Sequence, residues 1–420
     1  MNKATELITA IPENRNAEKK KEKLTAVFFL CFLSSTLGGS VSTLMSVYLP
    51  VAVKDLVGTM PVDKLNEIGA TINSVFIFGW MFGGFAWGAI ADRFGRSKGF
   101  VFSTACYGIF TLLTALSPNW MWASACRFLS GFGVGGVLVT TTILISELWT
   151  EKKRAIVLGI LSISIPVGIF SAGLINYLLP SWRQAFAVGI LPLLISITAF
   201  FYLPESTKWL EGKAGKQNDQ LKADLEKNSD YRRNLLAGSL IFGTMLIGLW
   251  AVFSWLPTWV QSVLPDKDAQ QERGISMMIM GAGGLTGGFI SGWIVNAIGL
   301  RKSMVLCFVS CFLLSFLLFK VNHLFSVAAY VEIAVLALFF GISQGVLNAY
   351  IPALYPTQFR SAATGFSFNI GRIFTASVVF FVGWLVNFLG GYGNALTIFS
   401  VVFLLGFIVC LLVKEKRFIQ

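Results

Sequence analysis

Stretches of about twenty apolar residues recur along this chain, separated by short polar intervals, and that recurrence constrains the fold more than any single residue. A hydrocarbon core about 30 Å thick is crossed by about 20 residues of helix rising ~1.5 Å each. Inside it the backbone must satisfy its own hydrogen bonds, which a helix does segment by segment. Twelve spans are predicted, at 24–50, 68–92, 99–117, 120–148, 154–178, 183–203, 235–262, 274–298, 301–320, 326–353, 360–388 and 392–413. Composition agrees, because only 13% of the residues are charged against about 25% in soluble domains. The expected fold class is therefore an all-α membrane protein. Its first span follows a polar tail, exceeds a signal-peptide core and lacks a small-residue cleavage site, so the N-terminus is expected to be retained.

Lysine and arginine set the orientation. Of the 33, 25 fall on the side of the termini and 6 on the other, with Arg127 and Arg372 inside spans. Both termini are accordingly expected in the cytoplasm, and the net charge of +12 reads as topology, with no nucleic-acid partner. Basic residues around EKKKEK suit a surface of anionic membrane lipid. Cys31, Cys106, Cys126, Cys307, Cys311 and Cys410 all lie in apolar runs without metal-ligand spacing and read as small buried hydrophobes.

The chain repeats itself. Gly79, Gly83, Gly84 and Gly88 recur 204 residues later as Gly283, Gly287, Gly288 and Gly292, spaced to let helices approach closely. GAIADRFGRSK from Gly88 matches GWIVNAIGLRK from Gly292, and ELWTEKKRAIVLG from Glu147 matches ALYPTQFRSAATG from Ala353 at a displacement of 206. The expected layout is a cytoplasmic tail 1–23, a six-helix bundle 24–203, a cytoplasmic linker 204–234, a second six-helix bundle 235–413 and a tail 414–420. Two parallel six-helix repeats form a known transporter architecture, with the site near the midplane between them. GFGVGG at Gly131 lies inside a span with no preceding strand, so it is not read as a dinucleotide-binding loop.

These motifs carry a family resemblance. GAIADRFGRSK resembles the loop 2–3 signature of the major facilitator superfamily, RFLSGFGVGG from Arg127 its helix 4 motif, and PESTKWL from Pro204 a segment of its sugar-porter and organic-ion-porter branches. Glu147 with Arg154, and Pro356 with Arg360, are similar to the loop 4–5 and 10–11 signatures of the same branches. The resemblance implies a transporter working by alternating access, without enzymatic activity or a cofactor. It also implies a cytoplasmic gate of Asp92, Arg93, Arg96, Glu147, Arg154, Glu205 and Arg360, contacts that form in one state and break in the other. Asn296 and Ala353 stand where the second repeat would carry its equivalents of Asp92 and Glu147, so first-half acids should bear most of that lock.

Arg372 names the cargo. It lies twelve residues into the eleventh span from Arg360, about 18 Å deep at ~1.5 Å per residue. A cation there is costly unless it faces a polar cavity or a partner. Asp92 and Glu147 lie at helix ends and Glu332 toward the outer third of the tenth span, while the other acids fall in loops or tails. The central cavity is thus expected to be net positive and to suit an anion. Asn369, Gln344, Asn348, Tyr350, Arg127, Trp80 and Trp255 are the further candidates for substrate contact, with Trp250 as another aromatic wall. Glu332 is the candidate for a coupling proton, because the first span has no acid; His323 reads as a loop residue. The predicted function is secondary transport of a small organic anion, a mono- or aromatic carboxylate or acidic sugar, coupled to protons, by a monomer in a bacterial inner membrane. The alternatives are a neutral sugar or solute porter of the same fold, or a non-transporting receptor.

Overall fold

The computed structural model describes residues 3–206, 209–210, 229–265, 268–322, 324–355 and 360–413. His323, Pro356 and most of the expected linker lie outside them, as do the side chain of Arg360 and the tail 414–420. Among the described residues there is no strand. The first half comprises α1 (Lys3–Val57), α2 (Val62–Phe94), α3 (Arg96–Ala115), α4 (Trp120–Leu148), α5 (Glu151–Ser162), α6 (Ser164–Leu178), α7 (Trp182–Phe186) and α8 (Ile190–Tyr202). The second comprises α9 (Ser229–Ser262), α10 (Gln270–Ile298), α11 (Leu300–Val321), α12 (Val327–Ala353), α13 (Arg360–Phe380), α14 (Val382–Leu389) and α15 (Tyr392–Leu412).

Eleven stretches are long and apolar enough to cross a bilayer among the described residues. The remaining crossing is α13 with α14, whose lower hydropathy follows from the polar run around Arg372. Three crossings are jointed where one continuous helix was expected. The fifth breaks at Ile163, three residues before Pro166, which has no N–H to continue the ladder. The sixth passes through a 3-10 turn, Ala187–Gly189, and the eleventh breaks at Phe381. Bulky side chains cover the outer surface, Phe201, Trp293 and Phe388 being 75%, 71% and 70% exposed, as a lipid-facing belt requires.

The repeat persists at backbone level. Gly95, between α2 and α3, has φ +120°, and Gly299, 204 residues on between α10 and α11, has φ +85°. Both turns require the left-handed region open to glycine. The repeated glycines themselves divide in two. A Cβ on Gly79 or Gly83 would sit 1.9 Å from the carbonyl oxygen of Phe128 or Phe132, so α2 and α4 touch backbone to backbone. Gly287 is as tight, 2.0 Å from the oxygen of Leu338 on α12. Gly84 and Gly88 have nothing nearer than 3.8 Å, and Gly288 and Gly292 nothing within 4 Å. One residue is a rotation of about 100°, which turns that second set off the helix contact. The expectation that all eight are packing residues therefore holds for only part of the set.

The halves meet through α1 with α9, α2 with α13 and α14, and α6 with α10. The hydrogen bonds joining them cluster on the face away from the termini. Asn66 Nδ2 donates to Asn387 Oδ1 (3.0 Å), the Tyr392 hydroxyl to Asn66 Oδ1 (2.6 Å), Asn73 Nδ2 to the Ser254 carbonyl (3.3 Å) and Gln270 Nε2 to the Asn176 carbonyl (2.7 Å). Gly173 and Gly274 cross there so closely that a Cβ on Gly173 would lie 2.6 Å from the Gly274 oxygen. Arg273, expected in a loop, belongs to α10 and is 1% exposed, held by Gln261 Oε1 and by Asp268 Oδ1 at 3.4 Å.

Gly79→Ala and Gly83→Ala should each destabilise the protein by about 1–3 kcal/mol, as overpacking does, whereas Gly292→Ala should be neutral. Thermal unfolding of the three variants in detergent checks this, and equal midpoints would refute the packing account.

Candidate functional site

A cavity of about 500 Å³ lies between the halves, reached by residues of α2, α4, α5, α6, α9, α10, α12 and α13. It runs from the middle of the bundle toward the face that carries the termini, with Asn348, Phe289 and Ile156 on that side. At its closed end Trp80 of α2 meets Trp250 of α9 edge to face, with ring centroids 5.0 Å apart. The Asn73–Ser254 bond lies a turn or two beyond.

Arg372 is the one charged residue lining this cavity among the described residues. Its Nη1 donates to Asn369 Oδ1 at 3.3 Å, a bond within α13 at i, i−3 spacing. Gln344 and Asn348, one turn apart on α12, line the same space, and Gln344 Nε2 is buried without a partner. A buried unpaired donor is a costly arrangement unless something else fills it. The remaining wall is largely apolar, with Phe253, Phe340 and Phe368. At the 206-residue displacement the counterpart of Arg372 is Pro166, which also lines the cavity, so equivalent positions of the two repeats face each other's space with opposite chemistry.

Four expected contacts lie elsewhere. Asn369 reaches the cavity only through its bond to Arg372. Tyr350 is 1% exposed beside Cys410, its hydroxyl 3.9 Å from Sγ. Trp255 is fully buried and stacks on Tyr392 at 5.7 Å, two residues from Phe253 and so on the other side of α9. Arg127 is 1% exposed, donates from Nη1 to the Val41 carbonyl at 3.0 Å and lies 3.9 Å over the Phe76 ring, which binds α4 to α1 and α2. The cation–π contact and the backbone acceptor hold it away from the cavity, with Nε left buried and unpartnered. Glu332 also stands apart, its Oε2 accepting from Asn322 Nδ2 at 2.6 Å near the opposite face.

At the terminal face a charged cluster ties the first half together. Arg96 donates to Asp92 Oδ1 from Nη1 and to Glu147 Oε1 from Nε at 3.1 Å. Glu205 Oε1 accepts the backbone N–H groups of Arg96 (2.7 Å), Ser97 (3.1 Å) and Ser206 (3.0 Å), and so caps α3. This neutralises the orphan donors and positive end of that helix. Ser97 Oγ adds a bond to the Pro204 carbonyl, and Trp209 Nε1 one to the Asp92 carbonyl at 2.8 Å. Arg93 lies 5.3 Å over Phe94, while Glu147 Oε2 and Arg154 Nε are buried without partners.

Two six-helix repeats closed at one face and parted by a cavity at the other are the architecture of an alternating-access membrane transporter. The chain belongs to the Major Facilitator Superfamily, whose model matches residues 23–378. It is 26% identical over 375 residues to the cis,cis-muconate transport protein of Acinetobacter baylyi, covering 84% of this chain and 90% of the relative. It is 25% identical over 395 residues to the 4-hydroxybenzoate transporter PcaK of Pseudomonas aeruginosa, covering 85% of each. The fold matches the partially occluded inward open conformation of the xylose transporter XylE from E. coli with a TM-score of 0.77 at 16% identity, covering 95% of this chain and all of that one.

Glu205→Ala should strand the three amides it accepts and lower stability by about 1–3 kcal/mol. Thermal unfolding of the purified variant would register the loss as a fall in midpoint, and an unchanged midpoint would remove Glu205 from the list of structural caps.

Proposed function

We propose that this chain carries a small organic anion, a mono- or aromatic carboxylate, across a bacterial inner membrane, and that Arg372 is the anion's partner. The single observation that carries the reading is a cavity whose only charged lining residue, among the described residues, is a cation. A guanidinium fork matches two carboxylate oxygens, the Gln344 amide on the same cavity wall has a donor to spare, and Trp80, Trp250 and Phe253 give a flat carbon skeleton an apolar bed. The similarity to a 4-hydroxybenzoate transporter supports an aromatic carboxylate, and that to a transporter of muconate, a dicarboxylate, supports the wider class of small organic anions. An acidic sugar fits this wall less well, since it would leave many hydroxyls unpaired against aromatic rings.

The excess of lysine and arginine at the terminal face supports cytoplasmic termini, so the conformation is the inward-facing one. Asp92, Arg96, Glu147 and Glu205, together with Arg93, Arg154 and Arg360, are the proposed cytoplasmic gate. A monomer suffices, because one chain encloses the cavity. We assign no proton to Glu332: it is engaged with Asn322 outside the cavity. Glu332→Gln should accordingly leave labelled-substrate uptake within about twofold of the parent, and abolition of uphill accumulation would restore proton coupling at that residue.

Arg372→Lys should weaken binding of 4-hydroxybenzoate about tenfold and Arg372→Ala about a hundredfold, as loss of charge-assisted bonds worth roughly 1.5–3 kcal/mol implies. The methyl ester of the same acid should change far less. Calorimetric titration on purified variants reads this, and equal losses for acid and ester would make Arg372 structural.

A further inference from the structure

We infer that the carrier is an anion exchanger: it reorients readily only with an anion on Arg372, so the exit of one anion is what lets another enter. The inference rests on the reading of Arg372 as the substrate's partner and adds to it the mode of transport. An alternating-access cycle contains two reorientations, one with the site loaded and one with it empty, and each narrows the cavity and expels water. Loaded, the guanidinium faces a carboxylate. Empty, it keeps one bond, to Asn369 Oδ1 at 3.3 Å, for five N–H donors.

A carrier that returns empty needs some way to cancel such a charge. The guanidinium cannot shed its proton in a protein. No aspartate, glutamate or histidine lines the cavity among the described residues. Acids elsewhere in the bundle are engaged: Glu147 with Arg96 at 3.1 Å, Asp55 with Arg183 at 3.0 Å, Asp268 with Arg273 at 3.4 Å and Glu332 with Asn322 at 2.6 Å. Each of them sits near one face of the bundle, distant from the midplane position of Arg372. Nor does the wall cancel the charge: Leu246 is aliphatic, Trp250, Phe253, Phe340 and Phe368 offer ring faces, and the polar side chains there, Ser162, Gln344, Asn348 and Thr375, are all neutral. Dehydrating an unpaired ion carries an effective penalty of several kcal/mol, and each 1.36 kcal/mol on a barrier slows a step about tenfold. The empty return should therefore lag the loaded one by at least tenfold.

The test uses the full chain in liposomes, with potential clamped to zero by potassium and valinomycin and protein-free vesicles as blank. Uptake of labelled 4-hydroxybenzoate and of labelled cis,cis-muconate is followed into lumens holding the same unlabelled acid, chloride, or a zwitterionic buffer alone. Initial rates with the unlabelled acid inside should exceed those into buffer alone at least tenfold, with or without an inward pH gradient. A fast rate into chloride-loaded vesicles also supports exchange, with chloride as the returning anion. Uptake into buffer-loaded vesicles at the exchange rate, or uphill accumulation there driven by the pH gradient, would overturn the inference while leaving the organic-anion reading intact. No uptake of either acid in any lumen would overturn both.

Discussion

The hydrocarbon core supplies no hydrogen bonds, and almost everything in this molecule follows from that absence. It forces the backbone into helices and then turns the polar side chains of those helices toward one another. Ser40 of α1 donates to the Gly168 carbonyl at 3.0 Å, Ser34 faces Thr104 and Tyr107, and Thr111 pairs with Ser130 at 3.0 Å. Arg127 is quenched by a carbonyl and two aromatic rings, Arg273 by a glutamine and an aspartate. Arg127 and Arg273 each still keep a buried Nε without a partner, so what sets Arg372 apart is its place on the cavity wall. The rule that shapes the scaffold thus also bears on the group that we propose meets the cargo.

The two faces of the bundle are held by different chemistry. On the terminal face, the charges of Asp92, Arg96 and Glu147 and the cap by Glu205 brace α2, α3 and α4 within one half. A half braced in this way moves as a body, which rocking between two states requires. The second repeat keeps the backbone device, a positive-φ glycine at Gly299, without the acids, since Asn296 and Ala353 replace them. Its α10–α11 corner is tied instead by Arg301, whose Nε donates to the Cys410 carbonyl at 3.0 Å.

Much of this was legible in the sequence because two signals are periodic. Apolar length marked the crossings, and displaced glycine and loop motifs marked the repeat. Gln344 and Asn348 could be paired with the cavity because four residues on a helix return to one face. Tyr350, two residues past Asn348, rotates away from it, and Trp255 does the same relative to Phe253. Arg127 and Arg372 look alike in sequence, each an arginine in a span; only the positions of Phe76 and the Val41 carbonyl separate them. Arg273 was hidden by a different cause. Its helix starts at Gln270, before the apolar run begins, so hydropathy alone assigns the residue to a loop. The joint at Phe381 has no proline or glycine at the break itself and left no local signal.

The contrast between the faces bears on how a single charge can govern the cycle. The closed face relies on neutral amide bonds, Asn66 to Asn387 and Asn73 to Ser254, and on the glycine crossing of α6 and α10. Such bonds are worth about 0.5–1.5 kcal/mol each once water can replace them, so opening that face costs little per contact and re-closing it gains little. The Asp92–Arg96 pair, whose carboxylate side is 66% exposed, is of the same small size. Neither face therefore dominates the other, and the balance is open to a modest bias. Pairing or unpairing one cation in a largely apolar cavity is worth several kcal/mol, more than any one of these contacts. On the proposed reading, occupancy of Arg372, rather than the strength of either closure, is then the quantity that sets how fast the halves exchange.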